Sequence, residues 1–230
     1  MLTYIISDVH IGSPYLKPAL FRRFLDELPE GADLVLNGDT LDYYRRMQLT
    51  LPQQEALEWI RQESLRRRVI WVSGNHDTEF RFRGESRVEY VPWLEIGKRL
   101  YVAHGHDFDD VMPHHKAFIY FFRAVHRVRI WLGAEGVHVA HYAKRWKTLY
   151  GVLIRAVQQK AIRHAKARGC AAVACGHTHC VEDRVIAGIR YINTGAWTEP
   201  PVCFVVVDDT HIELKTYRAS PSPVARCASG

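Results

Sequence analysis

The sequence predicts an α/β fold in which two packed sheets are flanked by helices, with one helical insertion. Three observations carry this prediction. Residues 2–73 alternate strand, helix, strand, helix, strand in their hydrophobic patterning. Residues 171–217 read almost wholly as strands, and 113–168 keep a helical spacing. Alternating elements followed by a run of strands bury their apolar faces best as stacked sheets covered by helices.

The elements follow in order. Leu2 to Ser7 is a short apolar run closed by polar residues, as expected of a buried strand. Pro18 to Leu28 sets Leu20, Phe21, Phe24, Leu25 and Leu28 at helical spacing. Asp33 to Asn37 (D-L-V-L-N) is the second strand. Pro52 to Arg66 is a helix, with its proline in the first turn, where a missing N–H costs nothing. Val69 to Ser73 is the third strand, and 88–91 and 99–103 are shorter ones. Strands return at 171–174, 181–187, 189–193, 202–208 and 211–217. Residues 1–218 read as one domain containing the insertion at about 113–169, and the Ser/Pro-rich 219–230 read as a flexible tail.

Composition narrows the class. A chain of 230 residues suits one α/β domain, and 47% hydrophobic with 24% charged residues is ordinary for a soluble one. No apolar run approaches the ~20 residues needed to span a bilayer. The opening M-L-T-Y-I-I-S-D lacks the basic and apolar regions of a signal peptide. Five scattered cysteines without a C-x-x-C pair argue against a disulfide framework and for a reducing, cytoplasmic setting. Cys170, Cys175 and Cys203 are expected to be buried small hydrophobes.

Each candidate strand is followed at once by potential ligands. After the first comes S-D-V-H, with Asp8 and His10; after the second, N-G-D, with Asp39. After the third comes S-G-N-H-D, with Asn75, His76 and Asp77. H-G-H-D follows 99–103, with His104 and His106, and G-H-T-H follows 171–174, with His177 and His179. Any one block could be a solvated turn. Five together imply ligands gathered at strand ends, where open α/β sheets place their sites. Gly38, Gly74 and Gly176 precede three blocks and permit close approach. Mixed His, Asp and Asn donors without thiolate suit Mn²⁺, with Fe or Zn²⁺ as alternatives. The donors suffice for two ions sharing one carboxylate. Asp39, alone after its strand, is the expected bridge.

The blocks resemble those of the calcineurin-like metallophosphoesterase superfamily: D-x-H, G-D, G-N-H-D, H and G-H-x-H, spread here over about 170 residues from Asp8 to His179. The resemblance implies a two-sheet αββα sandwich. It implies that Asp8, His10, Asp39 and His179 bind one metal, and that Asp39, Asn75, His104 and His177 bind the other. It implies that His76, oriented by Asp77, donates a proton or stabilises the transition state. The reaction implied is in-line attack of a metal-bound hydroxide on phosphorus.

The substrate must be sought outside these blocks. Between Pro113 and Gly169 there are twelve Lys/Arg and one acidic residue, Glu135, so the net charge of +6 arises in this segment. It is also aromatic and aliphatic, with Arg123, Arg127 and Arg129 set among apolar residues. Such a segment could pack on the sandwich with its cations solvated. It could also hold an amphiphile against an anionic membrane surface, or track nucleic acid. H-G-H-D-F-D at 104–109, a helical insertion directly after it, and I-N-T-G-A-W at 192–197 make the chain similar to the UDP-2,3-diacylglucosamine diphosphatase family of lipid A biosynthesis. That resemblance implies a Mn²⁺-dependent pyrophosphatase, peripheral on the inner membrane, releasing UMP and a lipid sugar phosphate. The third block differs, since the best-known members have G-N-R-D, and Ala196 stands where Asp is common. A phosphodiesterase or nuclease acting on cyclic nucleotides or nucleic acid is therefore the alternative. Arg81 and Arg83, close behind G-N-H-D, join Asn75 and the three insertion arginines as candidate substrate contacts. A non-catalytic scaffold is disfavoured because every block is intact.

Overall fold

A computed structural model describes residues 2–42, 48–110 and 147–218 of the protein. Two mixed sheets lie face to face with helices outside them, an αββα sandwich. The first sheet runs β11(Ile212–Thr216)-β10(Cys203–Val207)-β1(Thr3–Ile6)-β2(Asp33–Asn37)-β3(Val69–Val72)-β4(Glu89–Val91). The second runs β5(Leu94–Ile96)-β6(Leu100–Val102)-β7(Ala172–Cys175)-β9(Ile189–Asn193)-β8(Glu182–Ile186). β1 to β4 are parallel, as are β6, β7 and β9.

Alternation along each strand assigns side chains to layers. On β2, Leu34 and Leu36 join Phe21, Phe24 and Leu25 of α1 (Pro18–Asp26) and Ala56 and Ile60 of α2 (Leu51–Arg66). Val35 between them points the other way, into the layer where Ile5, Ile70 and Val72 meet Leu100, Val102, Ala174 and Ile192 of the second sheet. On the far side, Tyr101, Val173, Cys175 and Tyr191 pack on Leu153, Val157, Ala161 and Ala165 of α3 (Lys147–Ala167). Three buried layers account for the near-continuous apolar runs of the central strands, which have no solvated face. Pro18 and Pro52 both sit in first turns, and Gln53 Oε1 accepts the Thr50 N–H at 3.0 Å to cap α2.

Cys170, Cys175 and Cys203 are buried. β5 escapes a reading from sequence. It is three residues long, and only its antiparallel pairing with β6 makes it a strand. Of the insertion, α3 is described. Residues 111–146, with Arg123, Arg127 and Arg129, lie outside the described residues, as do 219–230. Among the described residues no helix is long and apolar enough to cross a membrane.

Candidate metal centre

The expected ligands lie at the shared end of both sheets rather than along one sheet's edge. β1, β2 and β3 deliver Asp8, His10, Asp39 and His76; β6 and β7 deliver His104, His177 and His179. The sheets are tied there by Asn37, whose amide Nδ2 donates to the carbonyls of Ala103 (3.3 Å) and Ala174 (3.4 Å). Backbone pairing continues past the strands, with Asp8 N–H on Gly38 O at 3.1 Å and His10 N–H on Asp39 O at 3.0 Å.

The backbone is strained where the ligands sit. Among the described residues six that are not glycine have positive φ, and five are Asp8 (55°), His10 (52°), Asp39 (48°), His177 (62°) and His179 (53°). A left-handed residue turns the chain sharply, at a cost of roughly 1–3 kcal/mol each. Such conformations persist only where the surroundings over-determine them. The glycines allow the crowding: a Cβ on Gly74 would lie 2.1 Å from Asp39 N, and one on Gly176 would lie 2.2 Å from Asp8 Oδ2.

The expected ligands form two triads, each with ligand atoms within 4.8 Å of one another: Asp8, His10 and His179, and Asp39, His104 and His177; a third such group, His10, Asp42 and His76, shares His10 with the first. In the first, Asp8 Oδ1 is 3.2 Å from His179 Nε2 and 3.8 Å from His10 Nε2, and the two Nε2 atoms are 3.1 Å apart. In the second, His104 Nε2 is 3.3 Å from Asp39 Oδ2. His104 Nδ1–H donates to Asn37 O at 2.9 Å, so in the neutral ring Nε2 carries the lone pair. A buried lone pair facing a carboxylate requires a cation or a proton between them. The charges agree. Burial opposes ionisation, but Asp39 and Asp8 push His104 up to about 9. Burial likewise opposes charge on His10, yet Asp42 and Asp8 hold it up at about 10. Asp39 stays well below the usual carboxylate range despite burial, because His104, His76 and His10 surround it. Metal-free, His10 and His104 take up protons, while burial holds His179 below the ordinary histidine range; two divalent ions would satisfy the same oxygens and nitrogens. The His/Asp donor set fits a dimetal site.

His76 sits between the triads and solvent. Its side chain is 13% exposed, against 1% for His10 and 0% for His104. Its Nε2 is 3.8 Å from Asp39 Oδ2 and its Nδ1 is 3.2 Å from Asp42 Oδ1. The expectation that Asp77 orients His76 is not met. Asp77 Oδ2 accepts the N–H groups of Thr40 (2.7 Å), Leu41 (3.2 Å) and the Trp71 indole (3.2 Å), and Oδ1 accepts that of Gly74 (3.0 Å). Its carboxylate is occupied in pinning the 74–77 loop to the 39–42 loop, and Asp42 takes the place beside His76.

Asn75 is exposed. Arg81 stacks on Tyr90 at 4.2 Å and donates to the carbonyls of Thr78 and Phe80, so it is tied to its own loop. Arg83 is exposed.

Sequence reasoning missed two carboxylates. Asp42 lies 3.2 Å from His76 Nδ1 and 3.7 Å from His10 Nδ1; its signal was the three-residue step in G-D-T-L-D. Asp109 lies 2.9 Å from His177 Nε2 and stands inside the H-G-H-D-F-D stretch. The I-N-T-G-A-W stretch proves to be a brace. Asn193 Nδ2 donates to Gly176 O (2.7 Å) and Thr178 Oγ1 (3.1 Å), the Thr194 and Ser7 hydroxyls meet at 2.6 Å, and Trp197 N–H donates to Asp8 O at 3.0 Å. Trp197 then anchors the brace against Phe24, ring centroids 4.9 Å apart.

Comparisons with known proteins follow the same line. No curated protein matches the chain. Among solved structures, YfcE, a phosphoesterase from E. coli, is 17% identical, with 91% of this chain and 89% of that one covered and a TM-score of 0.46. A novel archaeal phosphodiesterase is 16% identical over 94% of this chain and 100% of its own, with a TM-score of 0.43. Vps29 of Chaetomium thermophilum is 12% identical over 95% and 99%, with a TM-score of 0.48. The calcineurin-like phosphoesterase family matches residues 1–181. That span ends two residues after His179 and takes in every strand end that feeds the two triads. With most of its length and all five ligand-bearing turns inside the match, the chain belongs to the calcineurin-like phosphoesterase family.

Proposed function

We propose that the protein is a two-metal hydrolase of a nucleotide-lipid pyrophosphate, cleaving UDP-2,3-diacylglucosamine or a close relative to UMP and a lipid sugar phosphate. The observation that carries the hydrolytic part is the pair of triads, with His76 Nε2 3.8 Å from Asp39 of the second. Asp8, His10 and His179 would hold one ion, and Asn75, His104 and His177 the other, with Asp39 shared. Mn²⁺, with Fe or Zn²⁺ equally suited to these donors, would supply an acidified water and countercharge for the phosphoryl oxygens. Asp42 accepts the Nδ1–H of His76, which leaves Nε2 to deliver a proton to the leaving oxygen when the ring is charged. Burial of the triads excludes bulk water and strengthens every charge interaction there.

The lipid part rests on the H-G-H-D-F-D and I-N-T-G-A-W stretches and on the basic, aromatic residues 113–169. These fit an amphiphile presented at an anionic membrane surface on the cytoplasmic side. The G-N-H-D block and the same basic segment favour the second reading, a phosphodiesterase or nuclease with the same dimetal site.

The test is Mn²⁺-dependent release of UMP from UDP-2,3-diacylglucosamine in mixed micelles, with bis-p-nitrophenyl phosphate as control substrate and Asp39→Ala as control enzyme. Fast UMP release, lost in Asp39→Ala, is expected. Hydrolysis of the control substrate alone would sink the lipid assignment, and salt-sensitive cleavage of DNA or RNA would put the second reading in its place.

A further inference from the structure

The two histidines of the second triad are held from behind by different groups. His104 Nδ1–H rests on a backbone carbonyl, that of Asn37, at 2.9 Å. His177 Nε2 rests on a side-chain carboxylate, Asp109 Oδ2, also at 2.9 Å. Both side chains are largely withdrawn from solvent, with exposures of 14% for His177 and 2% for Asp109. An ionised carboxylate only accepts hydrogen bonds, so beside an ionised Asp109 the protonated nitrogen of His177 is Nε2. A neutral ring then has its lone pair on Nδ1, and His177 presents that nitrogen to an ion.

We infer that Asp109 is the positioning residue of the second metal site: it dictates which nitrogen of His177 is the ligand and thereby sets the affinity for that ion alone. The inference rests on the dimetal reading of the triads. Asp109 is well placed for the part. It stands in the same short segment as His104, after a 3₁₀ turn at His106–Phe108. The Phe108 ring is buried and packs on His164 of α3 at 4.9 Å, and Asp110 pairs with Lys160 of the same helix. Asp109 is therefore clamped between two contacts to α3, and its carboxylate reaches across to the turn that follows β7. One loop supplies a ligand of the second site directly, through His104, and orients another through Asp109. His10 and His179 have Asp42 and Glu199 beside their Nδ1 atoms instead, at 3.7 and 3.9 Å.

Asp109→Asn keeps the size of the side chain but adds a donor, so it no longer dictates the histidine tautomer. Outer-shell partners of metal-bound histidines typically contribute 10–100-fold in affinity. Mn²⁺ titration of the full-length protein, followed by calorimetry and by metal content after gel filtration, separates the possible results. Wild type must first bind two ions; if it binds fewer, the dimetal reading fails, and the Asp109 inference with it. Given two ions in wild type, Asp109→Asn is expected to bind the first with unchanged affinity and the second about 10–100-fold more weakly. ¹⁵N-histidine spectra of the metal-free proteins should show His177 moving from a protonated Nε2 to a mixture of tautomers. A second ion bound at wild-type affinity, or loss of both ions together, would overturn the assignment while leaving the dimetal reading in place.

Discussion

Gly74→Ala is the sharpest test of how tightly the centre is built. Gly74 has an ordinary φ, so alanine brings no left-handed strain; the perturbation is one methyl group. That methyl would lie 2.1 Å from the Asp39 backbone nitrogen, 2.2 Å from Asp39 Oδ1 and 2.9 Å from the Gly38 carbonyl carbon. Ordinary contact begins near 3.4 Å, so the two loops must separate by about 1.3 Å. Backbone cannot swing aside as a flexible side-chain end can. The loops are further joined by Asp77, which bonds Gly74 N–H on one side and Thr40 and Leu41 N–H on the other. Overpacking of this kind costs about 1–3 kcal/mol of stability, which a domain survives. The functional cost is larger. Metal–ligand distances tolerate about 0.2 Å, and a misplacement near 1 Å in a reacting centre costs about 10²-fold. Gly74→Ala should therefore remain folded, lose ion binding at Asp39, and hydrolyse bis-p-nitrophenyl phosphate at least ~10²-fold more slowly. The comparison is Gly188→Ala, where φ is +80° but nothing lies within 4 Å of the new methyl. It should lose some thermal stability and no metal. A Gly74→Ala protein with two bound ions and turnover within a few-fold of wild type would refute the claim that the 74 and 39 loops are locked at contact distance.

Other outcomes follow from the same geometry. His76→Ala should leave both ions bound and slow hydrolysis by ~10²–10⁴, and wild-type turnover would remove His76 from the reaction. Asp42→Asn should slow it in the same direction; a pH–rate profile identical to wild type would show that Asp42 does not govern His76. Asp77→Ala leaves four buried N–H donors without their acceptor, each loss costing about 1–3 kcal/mol, so its signature should be a large fall in Tm. An Asp77→Ala protein as stable as wild type but inactive would restore the catalytic role that the geometry denies it. At pH 7 the metal-free centre carries protons on His10 (about 10) and His104 (about 9), which an incoming ion must displace. Mn²⁺ uptake should release about two protons, and affinity should rise with pH until those groups have lost their protons near pH 9–10. Calorimetric heats that do not vary with the ionisation enthalpy of the buffer would contradict this.

The sequence by itself determined a good deal. Apolar runs without polar alternation marked the central strands, because a strand between two covered faces has no reason to alternate. Prolines marked the first turns of α1 and α2. The His and Asp blocks announced a metal centre because those residue types recur immediately after strands, and the fold gathers Asp8, His10 and His179, and Asp39, His104 and His177, into clusters. Tertiary structure decided the rest. β5 exists only because β6 pairs with it. Gathering Asp39, His104 and His177 required two face-to-face sheets to bring the ends of β2, β6 and β7 together, which no local pattern encodes. The partner of each histidine's outer nitrogen depends on angles that spacing does not set. Asp77, next to His76 in the chain, turns away to saturate four backbone and indole donors, while Asp42, thirty-four residues earlier, comes to lie 3.2 Å from the ring. Residue type states what a side chain is able to bind. Which of its possible partners it meets is settled by the packing of whole loops, because a carboxylate goes where the most buried donors need it.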